Sequence, residues 1–120
     1  MEPQYKVLFH IDKFDIEGLN IAFKNANNLI TDKGASSVQI ALVVNYLAPK
    51  LFLKNTLGKE MTDNLAKLIK SKNASIFICN NSLKNLKISR EELLTFCKVV
   101  PAGITKIIEL QNDGFAYVKP

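Results

Sequence analysis

Apolar positions fall along the chain in two alternating patterns. Tyr5 to Ile11 (YKVLFHI), Val38 to Val44 (VQIALVV) and Ser75 to Cys79 (SIFIC) are short, nearly continuous runs rich in β-branched and aromatic residues. Runs of that length read as strands covered on both faces rather than half-wet ones. Between them the apolar residues recur three and four apart. Ile16, Leu19, Phe23, Ala26 and Ile30 form one such stripe, with Asp15 placed to cap its start and Gly34 to end it. Leu57, Met61, Leu65, Leu68 and Lys72 form a second, the lysine stem lying over apolar surface while its charge stays wet.

Shorter signals fill in the rest. Ala48 to Lys54 reads as a short helix with Pro49 in its first turn, where a missing N–H costs little. Asn80, Asn81 and Ser82 are turn and cap residues opening a short helix through Leu86. Ser89 and Glu92 have the spacing of a capping box and predict another helix through Leu93, Leu94 and Phe96. Lys98 to Val100 is a short strand stopped by Pro101, Ile104, Ile107 and Ile108 mark a last helix, and Phe115 to Val118 closes the chain as a fifth strand. Alternating apolar strands and helices predict a parallel sheet with helices on both faces and right-handed crossovers.

The length of 120 residues fits one domain over residues 1–120, and no repeat, linker or low-complexity segment divides it. With 48% apolar and 22% charged residues the composition is that of a globular chain, not of a disordered or disulfide-dense one. Cys79 and Cys97 form no CxxC pair and are read as reduced thiols of a cytoplasmic protein. Lys6, His10 and Asp12 interrupt the first apolar stretch, and the longest unbroken apolar run is Ile40 to Val44, so neither export nor membrane insertion is expected.

The net charge of +5 is unevenly spread: Asn64 to Arg90 holds Lys67, Lys70, Lys72, Lys84, Lys87 and Arg90 and no acid, with Cys79 in its midst. Such a run reads either as a solvated lysine face or as a positive field favouring an anion or a thiolate. No helix-turn-helix or stacking-aromatic signature accompanies it, which disfavours nucleic acid as a partner. The five glycines make neither a dinucleotide turn nor a phosphate loop, and one histidine with two cysteines cannot complete a zinc site, so no cofactor or metal is expected.

In an open parallel sheet the ligand site lies beyond the carboxyl ends of the strands. The residues there are His10, Asn45, Cys79 and Pro101 to Gly103. Cys79 precedes a helix start, where peptide N–H groups and the basic segment would stabilise its thiolate, the reactive form. The alternative is a small buried apolar side chain. Cys97, beside Phe96 and Val99, reads as inert core, and His10 as either a proton-transfer partner or a satisfied strand-end histidine. A Cys–His hydrolase lacks any orienting group or oxyanion motif.

Several segments together carry a resemblance: YKVLFHI at 5–11, AFKNANNLI at 22–30, FICNNSL at 77–83, VPAGI at 100–104 and LQNDGFAYVKP at 110–120. Over nearly its whole length the chain is similar to the DsrE/DsrF-like family of small sulfur-relay domains, in its stand-alone, YchN-like branch. The resemblance implies a three-layer α/β/α sandwich with a five-stranded parallel sheet, homo-oligomers such as trimers or hexamers, and a cysteine at the end of the third strand that takes sulfur as a persulfide from one protein and passes it to another. Cys79 holds that position. Where relatives often have a histidine and a glycine, this chain has Asn45, Tyr46 and Leu47.

The resulting expectation is a sulfur carrier without cofactor, acting through Cys79 with His10. Asn45, Asn80, Asn81 and Ser82 would contact the sulfur, and Lys84, Lys87 and Arg90 would favour its charge or an acidic partner. The rivals are a non-catalytic oligomeric module binding a small anion or a partner protein, and a thiol redox sensor.

Overall fold

The computed structural model describes residues 3–71 and 73–120. Lys72, placed by periodicity on the second helical stripe, lies outside them. Five strands, β1 (Tyr5–Ile11), β2 (Val38–Val44), β3 (Ala74–Cys79), β4 (Cys97–Val100) and β5 (Ala116–Val118), form one sheet in the order β4-β3-β2-β1-β5. Every pairing is parallel. Four α-helices connect them: α1 (Ile16–Lys33), α2 (Lys59–Lys70), α3 (Asn80–Leu86) and α4 (Gly103–Asn112). The fold is thus the α/β/α arrangement expected from the alternation of patterns.

Topology decides which face each helix covers. From β1 to β4 the chain steps across the sheet in one direction, then returns past β1 to β5. Crossovers of constant hand put α1, α2 and α3 on one face and α4 on the other. The core divides accordingly. Val7, Phe9, Ile11, Ile40, Leu42, Val44, Ile76 and Ile78 pack with Leu19, Leu65 and Leu83 from the first three helices. The alternate strand positions Leu8, Ala41 and Val43 pack with Ile107 and Leu110 of α4 and with Phe115. Side chains two apart share a face, so residues in phase with Leu8, Val43 and Phe77 belong to the α4 side.

Local chemistry accounts for the element ends. Asp15 accepts the Glu17 N–H and Gly34, at φ 86°, ends α1 with its N–H on the Ile30 carbonyl. The short helix at Ala48 is a 3₁₀ turn, Ala48–Phe52, with Ala48, Pro49, Leu51 and Phe52 all buried. One expected helix is absent. The capping box of Ser89 and Glu92 forms, but only the 3₁₀ turn Arg90–Glu92 follows it. The Leu94 N–H goes to the Phe52 carbonyl at 2.9 Å and the Lys54 N–H to the Glu92 carbonyl at 2.9 Å. Leu53 and Leu93 form an antiparallel bridge. Extended backbone buries Leu93 and Leu94 together, and that packing overrides the local helix start.

Among the described residues no helix is long and apolar enough to cross a membrane, and no cluster of three or more potential metal ligands occurs.

Candidate functional site

The chain leaves β3 into α3 on one face and leaves β4 into α4 on the other, which makes the carboxyl ends of these neighbouring strands the topological switch point where ligand sites of parallel sheets lie. Cys79 is the last residue of β3 and pairs with Val100, the last of β4. It is in phase with Phe77 and faces the α4 side. One step beyond the Val44–Ile78 pair in the register, Asn45 follows β2 directly beside it.

Cys79 is 5% exposed and caps α3 itself, its Sγ accepting the Ser82 N–H at 3.4 Å. The asparagines after it, expected to share the capping, supply backbone instead. Burial alone raises the thiol pKa, but the hydroxyl of Ser82 and the N–H groups of Gly103, Ser82 and Asn81 outweigh it and hold the thiol below its ordinary value. The Ser82 hydroxyl is oriented for this role. Its oxygen accepts the Tyr46 N–H at 2.8 Å, which leaves its own proton for sulfur. Tyr46 makes that bond from the left-handed region, at φ 55°, a conformation uncommon for a bulky residue.

Gly103, first residue of α4, is required by closeness. A Cβ there would lie 3.2 Å from Asn45 Cβ, 3.3 Å from Cys79 Cβ and 3.4 Å from Asn45 Nδ2. Without a side chain, the α4 backbone can bring its first N–H to the sulfur.

His10 lies on the same edge but does not touch the thiol. Its Nδ1 is 2.6 Å from Tyr117 Oη and its Nε2 is 2.9 Å from Asn45 Oδ1. Tyr117 sits opposite Leu8 in the β1–β5 register, and its ring lies 5.7 Å from the imidazole, centroid to centroid. Lys119 pairs with Asp12 at 2.9 Å, fixing the end of β5 beside that of β1 and lowering the Asp12 pKa through this hydrogen bond.

The structure therefore brings Cys79, Asn45, Ser82 and the Asn81 backbone into one corner, with His10 behind Asn45. The side chains of Asn80 and Asn81 make no hydrogen bond to the sulfur among the described residues. Lys84, Lys87 and Arg90 are exposed, and among the described residues none forms an ion pair. Fixed peptide N–H groups and one hydroxyl lead the groups that lower the thiol pKa. Two further participants carry weak sequence signals. Gly103 had only its place after β4 to mark it, and Tyr117 only its phase with Leu8. Cys97 packs against the helical core of the other face, and burial drives its thiol pKa up to about 12.

This geometry can be set beside that of known proteins. No curated protein matches the chain. Among solved structures, the chain is similar to MTH1491 from Methanobacterium thermoautotrophicum, a protein of unknown function, with a TM-score of 0.82 and 27% identity over 97% of this chain and 99% of the other. It shares the fold of the ychN protein from E. coli, with a TM-score of 0.75 and 15% identity over 98% of this chain and 99% of that one. The profile of the DsrE/DsrF-like family matches residues 6–120, and on that match over nearly its full length the chain belongs to the DsrE/DsrF-like family.

Proposed function

We propose that this protein is a sulfur-relay carrier that holds sulfur as a persulfide on Cys79. The observation that carries the reading is the set of donors from Ser82, Asn81 and Gly103 converging on one buried thiol and lowering its pKa. Family membership supports the same role.

The chemistry is thiol–disulfide exchange applied to a persulfide. The Cys79 thiolate attacks the outer sulfur of a donor persulfide, R–S–SH. A Cys79 Sγ–S bond forms as the donor's S–S bond breaks, and the donor departs as its thiolate. The sulfur moves without net oxidation, so no external oxidant enters. Delivery is the reverse: an acceptor thiolate takes the outer sulfur and Cys79 leaves as a thiolate. A lowered thiol pKa helps twice, by supplying the attacking form and by making Cys79 a better leaving group.

Intact mass after exposure to inorganic polysulfide tests the reading on wild type, Cys79→Ser and Cys97→Ser. The expected result is a gain of sulfur that reductant reverses, abolished by Cys79→Ser and retained in Cys97→Ser. Absence of any gain in wild type, with Cys79 still open to a small alkylating agent, would overturn it.

The proposal includes self-assembly on the α4 side. A single helix covers this face and leaves Ile104 and Ile108 62% and 52% exposed, one and five residues from Gly103. A second copy seated there would also shield the sulfur from water. Sedimentation equilibrium is expected to give a trimer or hexamer that Ile104→Asp shifts to lower mass, and a wild-type monomer at micromolar concentration would contradict it.

A further inference from the structure

We propose that His10, with Tyr117 behind it, is a positioning residue that locks the Asn45 amide with its nitrogen toward Cys79, so that Asn45 holds the outer sulfur of the loaded carrier. The inference rests on Cys79 being the sulfur-bearing thiol and assigns the group that recognises the sulfur one bond further out.

The proton positions follow from the partners. Asn45 Oδ1 can only accept, so His10 Nε2, 2.9 Å away, carries a proton. In the neutral ring Nδ1 is then bare, and the Tyr117 hydroxyl donates to it across 2.6 Å. Both ring nitrogens are engaged, which leaves His10 none with which to act as a base on Cys79. Donation runs from Tyr117 to His10 to Asn45 and ends at Asn45 Nδ2. That nitrogen lies beside Gly103, in the corner that also holds Cys79 Cβ.

The thiol does not need this amide. Its donors are the Ser82 hydroxyl and the N–H groups of Gly103, Ser82 and Asn81. Among the described residues Asn45 Nδ2 donates to no protein acceptor. A spare pair of N–H donors beside a saturated sulfur suits an anionic atom attached to that sulfur, which is what the persulfide adds. Were the histidine absent, nothing would fix the amide, and its oxygen would be free to face the outer sulfur and repel it. A bare Nε2 would have the same effect, since Asn45 would then turn to donate to it. The tautomer that prevents this is the one whose bare Nδ1 accepts from the Tyr117 hydroxyl, although the exposed edge of Tyr117 lets water replace part of that donation.

Two measurements on wild type, Asn45→Ala, His10→Leu, His10→Gln and Tyr117→Phe separate positioning from structure: the rate of sulfur loading from inorganic polysulfide, and the pH profile of Cys79 alkylation by iodoacetamide. Asn45→Ala and His10→Leu are expected to load about tenfold more slowly, the lower end for loss of one hydrogen bond to a charged group. Tyr117→Phe should lose about threefold, since water substitutes in part. His10→Gln should recover most of the rate, because its amide can donate to Asn45 and accept from Tyr117. The alkylation profile should stay as in wild type throughout. Wild-type loading rates in Asn45→Ala and His10→Leu, no recovery in His10→Gln, or an alkylation profile displaced in parallel with loading would each overturn the positioning role. A wild type that does not load at all would instead overturn the carrier function, and this inference with it.

Discussion

At the scale of single residues, the site works by placing a sulfur where a helix cap is needed. A capping residue accepts the N–H of the third residue on, a task usually given to oxygen. Here Cys79 performs it, so the geometry that starts α3 also turns peptide N–H groups toward the thiol. Ser82 supplies a backbone donor and a hydroxyl, and only the hydroxyl can be removed by substitution. Ser82→Ala is expected to raise the Cys79 pKa. It should slow alkylation at neutral pH about fivefold, the equivalent of one net hydrogen bond of about 1 kcal/mol. Stopped alkylation across a pH series would check this, and an unchanged profile would assign the lowering to the backbone alone.

Among the elements, α4 matters most for chemistry because its first residue must approach both Asn45 and Cys79. Gly103→Ala sets about 1 kcal/mol of improved helix propensity against an overpacking cost of about 1–3 kcal/mol. Stability is therefore expected to fall by about 0–2 kcal/mol, while the N–H of residue 103 moves off the sulfur and loading falls. A thermal melt paired with a loading assay separates the two, and full loading in this variant would contradict the close-approach argument.

The strands and most helices were legible from periodicity, because continuous apolar runs and three-to-four spacings report burial directly. The failure at Ser89 is equally physical. A capping box is local information, whereas Leu93 and Leu94 find partners at Leu53 and Phe52 that are far away in sequence. Cys79 and Asn45 were legible as strand ends. Gly103 was legible only as part of the turn after β4 and Tyr117 only as part of the last strand, because their roles depend on which face of the sheet each position meets, and that follows from strand order. The lysines stand out in the sequence, whereas the groups that lower the thiol pKa most are a neighbouring hydroxyl and peptide N–H groups.

Over the whole molecule, the two cysteines sit in opposite electrostatic settings, and stability should depend on pH through both. Cys79 has a folded pKa below its unfolded value, so its contribution is fully present above the unfolded pKa and is lost as pH falls through the folded one. Cys97, raised to about 12, behaves oppositely: above the unfolded thiol pKa of ~8.5 the unfolded chain ionises first, and stability declines. Denaturant melts at several pH values should show Cys79→Ala losing the gain that builds as pH rises from the folded pKa toward the unfolded ~8.5. In the same series Cys97→Ala should lose the alkaline decline. Curves parallel to wild type in both variants would contradict these assignments.

The account as a whole depends on hydrogen bonds inside a buried corner holding the Cys79 thiol below its ordinary pKa. The most direct test is the pH dependence of Cys79 ionisation in Cys97→Ser protein, followed by thiolate absorbance or alkylation rate. The account predicts a midpoint below the ~8.5 of a free cysteine. A midpoint at or above that value would show that burial outweighs the donors of Ser82, Asn81 and Gly103, and would remove the physical basis for a sulfur carrier at this site.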